Sequence, residues 1–172
     1  MPADYRFRRE DVRLPPAQLR HMEIHLDFRA DGVEGVNALT LAAREPLRAL
    51  ALDAQELEVR SVERLEGGRA VPTAFRADAA AHKLHVELAP SVPAGGTFAL
   101  RTRTRCVPSA TRLEGLYLDV TPPGAPPQIL SQCQQWGFQR ILPVIDDCTA
   151  KCTYRTTLEA DARYTHLPST CG

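Results

Sequence analysis

The sequence predicts an all-β protein built of antiparallel twisted sheets, or a β-sandwich, with few short helices. Three observations lead to this fold class. Apolar and polar residues alternate without a break from His21 to Phe28, the pattern of a strand with one buried face. Turn signals then recur roughly every 8–12 residues. No segment carries the apolar period of a long helix.

The elements follow in chain order. Residues 1–20 are charged and contain the Pro15-Pro16 pair, so we expect an irregular lead-in with one helical turn after Pro16. The strand at 21–28 leads through an Asp31-Gly32 turn into a returning strand at 33–42. Further strands are predicted at 47–52, 57–62, 71–75, 83–88, 97–106 and 151–159, with a Gly67-Gly68 turn and a loop over 90–96. Residues 21–172 are predicted to form a single β domain.

Composition and charge exclude several classes of function. The chain has 172 residues, of which 44% are hydrophobic, enough to bury a sizeable core. Its 21 acidic and 21 basic residues cancel, so charge provides no attraction to nucleic acid or to an anionic membrane. The first twenty residues lack the apolar stretch of a secretory signal, and no apolar run approaches the length of a membrane span. We therefore expect a cytoplasmic protein with neither nucleic acid nor membrane among its partners.

Histidines and cysteines form no recognisable metal motif. His21 and His25 are four residues apart on a strand, which separates them by about 13 Å, too far to share a zinc ion, so solvated strand positions are favoured. Cys148 and Cys152 do not have Cys-x-x-Cys spacing. An odd count of five cysteines without a secretory signal favours free thiols. The chain also lacks a Gly-x-Ser-x-Gly elbow and a glycine-rich phosphate loop.

Two charged groups have competing interpretations. Arg101, Arg103 and Arg105 share one strand face, where they can bind phosphates or pair with carboxylates of a neighbouring strand. Zero net charge and the lack of interleaved aromatics disfavour nucleic acid. Asp146 and Asp147 can in principle hold a cation, but adjacent residues diverge on a strand, so turn capping is favoured.

The segment Ser131-Gln-Cys-Gln134 is the most informative part of the chain. On an extended strand Gln132 and Gln134 point to the same face, where their amides can grip a polar ligand terminus. Taken alone, this pair is better explained by a buried strand whose amides satisfy backbone groups.

Several motifs occur in a fixed order around that segment. They are Leu52-Asp-Ala54, Leu113-Glu-Gly-Leu-Tyr117, Ser131-Gln-Cys-Gln134, then Arg140, Pro143 and Asp146, and finally Lys151-Cys-Thr-Tyr154. This order resembles the N-terminal β domain of the aminopeptidase N family of zinc metallopeptidases (gluzincins), most closely its leukotriene hydrolase branch. The resemblance runs from about residue 21 to the end, and residues 113–154 carry it.

The resemblance implies a saddle-like β domain that lines the substrate cleft of a peptidase. The positions of Gln132 and Gln134 contact the free amino end and the first side chain of the substrate in that family. Many aminopeptidases have glutamate where Gln134 stands, and a neutral amide offers an ammonium group no charge-assisted bond. We also expect Arg140 and Asp146 to form a structural salt bridge that holds the turn after Pro143.

The zinc site of that family is missing from these residues. There is no His-Glu-x-x-His segment and no Gly-x-Met-Glu-Asn loop. The chain is therefore expected to contain no catalytic residue, no metal ligand and no cofactor, and to be inactive alone. Zinc is expected in the missing catalytic domain. Ser169-Thr-Cys-Gly172 resembles the Ser-Asn-Gly turn midway through the first domain of that family. The resemblance therefore implies that the β domain is truncated at its C-terminal end.

The partners that this hypothesis implies are a peptide amino terminus in the intact enzyme, the missing catalytic domain, and a second copy through an exposed sheet edge. An alternative is a stand-alone β-sandwich binding or interaction module without peptidase activity. A secreted, disulfide-stapled adhesion domain is disfavoured because no signal peptide is seen.

Overall fold

The computed structural model describes residues 11–164, which form eleven strands and a short 3-10 helix at Phe138–Arg140. The strands are β1 (Ala17–Arg29), β2 (Gly32–Ala43), β3 (Leu47–Asp53), β4 (Glu58–Glu66), β5 (Arg69–Pro72), β6 (Phe75–Asp78), β7 (Lys83–Val92), β8 (Thr97–Cys106), β9 (Gly115–Asp119), β10 (Gln128–Gln132) and β11 (Thr153–Glu159). The predicted all-β fold class is confirmed. Among the described residues, no helix is long and apolar enough to cross a membrane.

The largest sheet has six strands in the order β11-β1-β2-β8-β4-β5. Strands β1 and β2 form the predicted hairpin around Asp31-Gly32, and β8 pairs with both β2 and β4. These pairs are antiparallel, but β11 runs parallel to β1, from His21 opposite Thr153 to Asp27 opposite Glu159. The expectation of antiparallel sheets therefore fails at this one edge. A parallel neighbour needs a long crossover, and residues 107–152 provide it.

Two smaller sheets complete the domain. One has the order β3-β7-β6, and the other is the β9–β10 hairpin. Side chains of the six-stranded and three-stranded sheets join one buried apolar cluster. Its most buried members include Leu19, Leu39, Leu41, Leu50, Leu52, Leu84, Val86 and Leu100. The alternation predicted for His21 to Phe28 is confirmed, because Met22, Ile24 and Leu26 are buried and the residues between them are not.

The strand boundaries differ from the prediction in four places, one of which is β4, which continues to Glu66, four residues beyond its predicted end. Strand β1 begins at Ala17, where a helical turn was expected, and a register irregularity between Leu19 and His21 breaks the alternation there. The strand predicted at 71–75 is two strands in different sheets, since β5 pairs with β4 up to Pro72 and β6 pairs with β7 from Phe75. Strand β7 continues to Val92, within the expected loop.

Candidate functional site

The glutamine segment lies at the end of the β9–β10 hairpin. Gln132 is the last residue of β10 and pairs with Gly115, whereas Gln134 lies in the turn that follows. The expectation that both amides share one face of an extended strand is therefore wrong for Gln134. The chain turns here because Gln135 takes a left-handed backbone conformation with φ of 61°. Both Gln132 and Gln134 are exposed, so the interpretation as a buried strand is also wrong.

Two glycines hold this turn against the hairpin. A Cβ atom added to Gly137 would lie 1.9 Å from the carbonyl oxygen of Gln132, so only glycine allows the two backbones to approach so closely. Gly115 has φ of 69°, and a Cβ there would meet the Cβ of Arg140 at 2.8 Å. The position of Gln134 is therefore fixed by backbone packing.

The anchoring segment, residues 139–145, follows the turn and connects both larger sheets. Val144 and Asp53 exchange backbone hydrogen bonds of 3.0 and 2.7 Å, and the Gln55 amide donates to the Gln139 carbonyl at 2.8 Å. On the six-stranded sheet, the buried Asn37 side chain donates to the Pro143 carbonyl at 3.0 Å. The side chains of the segment are largely buried, with Ile141, Leu142, Val144 and Ile145 in the core. This segment anchors the glutamine turn to the body of the domain.

Arg140 forms ion pairs with glutamates rather than with Asp146. Its guanidinium lies 2.7 Å from Glu56 and 3.0 Å from Glu114. Arg112 donates a second bond to Glu56 at 2.8 Å, and this hydrogen bond chiefly lowers the pKa of Glu56. The predicted salt bridge between Arg140 and Asp146 is therefore wrong. Arg140 instead ties the loop around Glu56 to the β9 hairpin beneath the glutamine turn.

Asp146 lies in an acidic setting on the other side of the segment. The backbone N–H of Asp146 donates to the Asp53 carboxylate at 3.1 Å, and the side-chain amide of Gln139 donates to the Asp146 carboxylate at 3.4 Å. Lys83 neutralises Asp53 with a hydrogen bond of 2.5 Å. Burial raises the pKa of Asp146, and the neighbouring Asp53 carboxylate raises it further.

Asp147 caps a turn, as predicted. Its carboxylate accepts the Thr149 N–H at 2.8 Å and also the Thr149 hydroxyl. The interpretation as a cation ligand is not needed.

A cleft of about 900 Å³ opens beside the turn. Its walls include the Trp136 indole, Gln139, Lys83 and the Asp53–Asp146 pair, while Gln132 and Gln134 lie outside its lining. Trp136 is 60% exposed, which is unusual for so large an aromatic side chain. Trp136 was not among the predicted site residues. The sequence signal that could have pointed to this residue is the presence of a tryptophan in a glutamine-rich segment without the apolar alternation of a buried strand.

The histidines and the arginine stripe have structural partners. His21 lies 2.8 Å from the Thr153 hydroxyl, and His25 lies 3.1 Å from the Glu159 carboxylate. Within residues 11–164, no group of three or more His, Cys, Asp or Glu side chains is arranged to hold a metal ion. These residues therefore do not fit a zinc ion. Arg101 pairs with Glu63 at 2.7 Å and Arg105 with Asp31 at 2.9 Å, so carboxylate pairing is confirmed for these two arginines.

Four cysteines carry free thiols: Cys106, Cys133, Cys148 and Cys152. Burial raises the pKa of Cys106 to about 11. Cys171 and the turn predicted at 169–172 lie outside the described residues.

Comparison with protein families decides the relationship. The model of the peptidase M1 N-terminal domain matches residues 8–170. The chain belongs to the peptidase M1 N-terminal domain family. This confirms the resemblance to the N-terminal domain of zinc aminopeptidases drawn from residues 113–154, while the leukotriene hydrolase branch stays a prediction. Comparison with curated proteins gave no match.

Solved structures of M1 enzymes share the fold of this M1 N-terminal domain. A variant of the M1 zinc metallopeptidase of Deinococcus radiodurans, bound to a Tyr-Ser-Ala substrate, is 20% identical with a TM-score of 0.68. The match covers 84% of this chain and 33% of that chain. Legionella pneumophila aminopeptidase A in complex with aspartic acid is 18% identical with a TM-score of 0.70, covering 87% of this chain and 16% of that one. The chain thus spans about a third or less of these relatives.

Proposed function

We propose that this M1 N-terminal domain forms one wall of the substrate cleft of a zinc metalloaminopeptidase-like protein. In that role Gln132 and Gln134 hold the free amino end of a peptide through their amide oxygens. The observation that carries the proposal is the placement of two exposed glutamines, one at the end of β10 and one in the turn that backbone packing holds against it, within a domain that matches the M1 family over residues 8–170. A site that is held by backbone packing is pre-organised for binding.

The chemistry of hydrolysis belongs to another part of the enzyme in this proposal. The described residues do not fit a metal ion, so zinc would be held by a catalytic domain that these residues do not contain. That catalytic domain and the peptide amino terminus are the proposed partners. A cytoplasmic location is part of the same proposal and is supported by the free thiols. The homodimer expected through a sheet edge is also a proposal.

The alternative is a stand-alone binding or interaction module without peptidase activity. It is supported by the same exposed turn and by the absence of a metal cluster from residues 11–164. The gene sequence beyond codon 172 separates the two proposals. A downstream His-Glu-x-x-His segment favours the peptidase, and a stop codon favours the module.

The positioning role is tested by NMR titration of the 172-residue chain with Tyr-Ser-Ala and with its N-acetylated form. We expect the free peptide to shift the side-chain amide signals of Gln132 and Gln134, and the acetylated peptide to leave them in place. Gln128→Ala, at the exposed start of β10, serves as the control and should not alter the response. Equal shifts from both peptides would contradict recognition of the amino end.

A further inference from the structure

The loop between β3 and β4 holds a glutamate in a rarely adopted backbone conformation. Glu56 has φ of 54°, in the left-handed region that residues with a Cβ seldom enter. Two backbone hydrogen bonds fix the loop just before it. The Ala54 N–H donates to the His82 carbonyl at 3.0 Å, and the next N–H, of Gln55, donates to the anchoring segment at 2.8 Å. A strained residue that its surroundings hold in place is a reason to seek a function for its side chain.

Glu56 is the centre of an ion network that joins three segments of the chain. Nη1 of Arg112 lies 2.8 and 2.9 Å from the two oxygens of the Glu56 carboxylate. Nη1 of Arg140 lies 2.7 Å from the same carboxylate, and its Nε lies 3.0 Å from Glu114. The Arg140 side chain is only 11% exposed, so solvent screens its charge less than that of an ordinary surface arginine. We call these four residues the arginine–glutamate network.

The network contacts the glutamine turn through the backbone around Arg140. Gly115 directly follows Glu114 and pairs with Gln132 in the hairpin. A Cβ added to Gly115 would lie 2.8 Å from the Cβ of Arg140. Gly137 packs against the same strand end, since a Cβ on it would lie 3.0 Å from the Gly115 nitrogen. Because close-packed contacts transmit strain, a movement of Arg140 displaces the end of β10 that carries Gln132.

We propose that Glu56 and Arg140 are positioning residues for the peptide amino end. The arginine–glutamate network holds the end of β10 against the turn that follows, and thereby sets the separation of the Gln132 and Gln134 amides. Glu56 acts through Arg140 in this role and does not touch the peptide. The effect on peptide binding rests on the proposed function, whereas the effect on the turn exists without a peptide.

Direct binding of the peptide ammonium group is the competing role for Glu56. A carboxylate forms charge-assisted hydrogen bonds with such a group. Two guanidinium groups already pair with the Glu56 carboxylate, however, and the hydrogen bond from Arg112 chiefly lowers its pKa. An ammonium group at Glu56 would be repelled by both arginines. The geometry therefore favours the indirect role.

The first test compares Glu56→Gln with Glu63→Gln in the 172-residue chain. Glu63 is the matched control, because its carboxylate also accepts a hydrogen bond from an arginine at 2.7 Å, but on strand β4. By NMR, Glu56→Gln should shift the side-chain amide signals of Gln132 and Gln134 in the free chain. It should also raise the dissociation constant of Tyr-Ser-Ala roughly fivefold, the size of a modest coupling between neighbouring residues. Glu63→Gln should change neither, and urea denaturation measures the stability of both variants.

Arg140→Lys tests whether geometry or charge is responsible. Lysine keeps the positive charge but cannot bridge Glu56 and Glu114 with one planar group. We expect the same glutamine signals to shift in this variant, where the charge is unchanged. The double variant E56Q/R140K should raise the dissociation constant no further than the larger single effect, because both changes break one contact. Arg140→Lys also provides the readout if Glu56→Gln does not fold.

The outcomes separate positioning from the proposed function. Variants of Glu56 and Arg140 that lose stability but leave both glutamine signals in place overturn the positioning role. Unshifted signals together with lost binding in Glu56→Gln also overturn it and favour direct contact. If the signals shift as expected but the parent chain does not bind Tyr-Ser-Ala, the proposed function fails, while the effect of the network on the turn stands.

Discussion

The amide of Gln134 offers a peptide ammonium group an oxygen but no charge. Gln134→Glu should tighten binding of Tyr-Ser-Ala by about five- to tenfold near neutral pH, because the bond becomes charge-assisted. The gain should fade below about pH 4.3, where glutamate is protonated, and above about pH 8, where the amine is neutral. Calorimetric titration measures it, with Gln128→Glu as the control. Equal gains in both variants would indicate general charge attraction and refute a specific contact.

The raised pKa of Asp146 should make the stability of the fold depend on pH. The sign of this dependence is opposite to that expected of a carboxylate whose pKa is lowered on folding. The pKa of Asp146 is raised by burial and by Asp53, so the folded chain binds its proton more tightly than the unfolded chain does. Its contribution to stability therefore falls as pH rises from about 3.9, the usual value, through the raised pKa. Asp146→Asn should be more stable than the parent at neutral pH, and this advantage should disappear in acid. Urea denaturation across pH measures the difference.

Asp147 provides the matched control for that experiment. Hydrogen bonds from Thr149 lower its pKa, so Asp147→Asn should lose stability at neutral pH, and the loss should shrink as pH falls through the lowered pKa. If both variants changed the free energy of unfolding in the same direction, net charge would dominate, and the explanation from local hydrogen bonds and burial would be contradicted.

At the scale of elements, the turn after β10 depends on Gly137. Gly137→Ala should cost about 3 kcal/mol, because its Cβ would overlap the Gln132 carbonyl and the backbone must move. It should also shift the side-chain signals of Gln134. Gly124→Ala is the control, since Gly124 has φ of 86° and open space around it, so only about 1 kcal/mol of left-handed strain is expected. Chemical denaturation compares them, and similar losses would contradict the overlap.

The anchoring segment depends on one buried amide. Asn37→Ala removes the donor to the Pro143 carbonyl and should destabilise the domain by about 1–3 kcal/mol. Thr102 lies opposite Asn37 on β8, and its buried hydroxyl has no hydrogen-bond partner. Thr102→Val should therefore be neutral or stabilising, because it replaces an unsatisfied hydroxyl with a methyl group of similar shape. A loss for Thr102→Val equal to that for Asn37→Ala would refute the role of the amide.

Local patterns determine the strands that the sequence predicts well. Strand β1 was predicted from the alternation of His21 to Phe28, which requires only that one face of the strand is buried. The β1–β2 hairpin was predicted from the turn residues Asp31 and Gly32 alone. The turn at Gln134 was missed because a left-handed Gln135 and a glycine contact leave no periodic signal. The division of residues 71–75 between two sheets was missed for a similar reason, since partner choice is a tertiary property.

At the scale of the molecule, the site combines segments that are distant in the chain. The cleft joins Arg13, Asp53, Lys83, Trp136 and Asp146, which no sequence spacing relates. The predicted pairing of Arg140 with Asp146 failed for this reason, because Glu56 and Glu114 approach Arg140 from other parts of the fold. The role of the glutamine positions was predicted only through family resemblance and stays a prediction, because two exposed amides have no physical signature of their own.

The 172-residue chain should behave as a domain without metal. Addition of a chelator should leave its melting temperature unchanged, because the described residues contain no group of metal ligands. Added zinc should produce no hydrolysis of aminoacyl anilides. A heat-inactivated sample is the control for background hydrolysis. A chelator-sensitive melting temperature would reveal a metal site and contradict this expectation.

The parallel pair of β1 and β11 has a consequence for synthesis on the ribosome. Strand β1 emerges early and can pair with β2 at once, but its other edge must wait for Thr153 to Glu159. At about 5–20 residues per second, the intervening hundred or so residues take roughly 5 to 20 seconds to be translated. The nascent chain therefore passes through a long stage with the β1 edge open, and protection of that edge by chaperones would matter most during this interval.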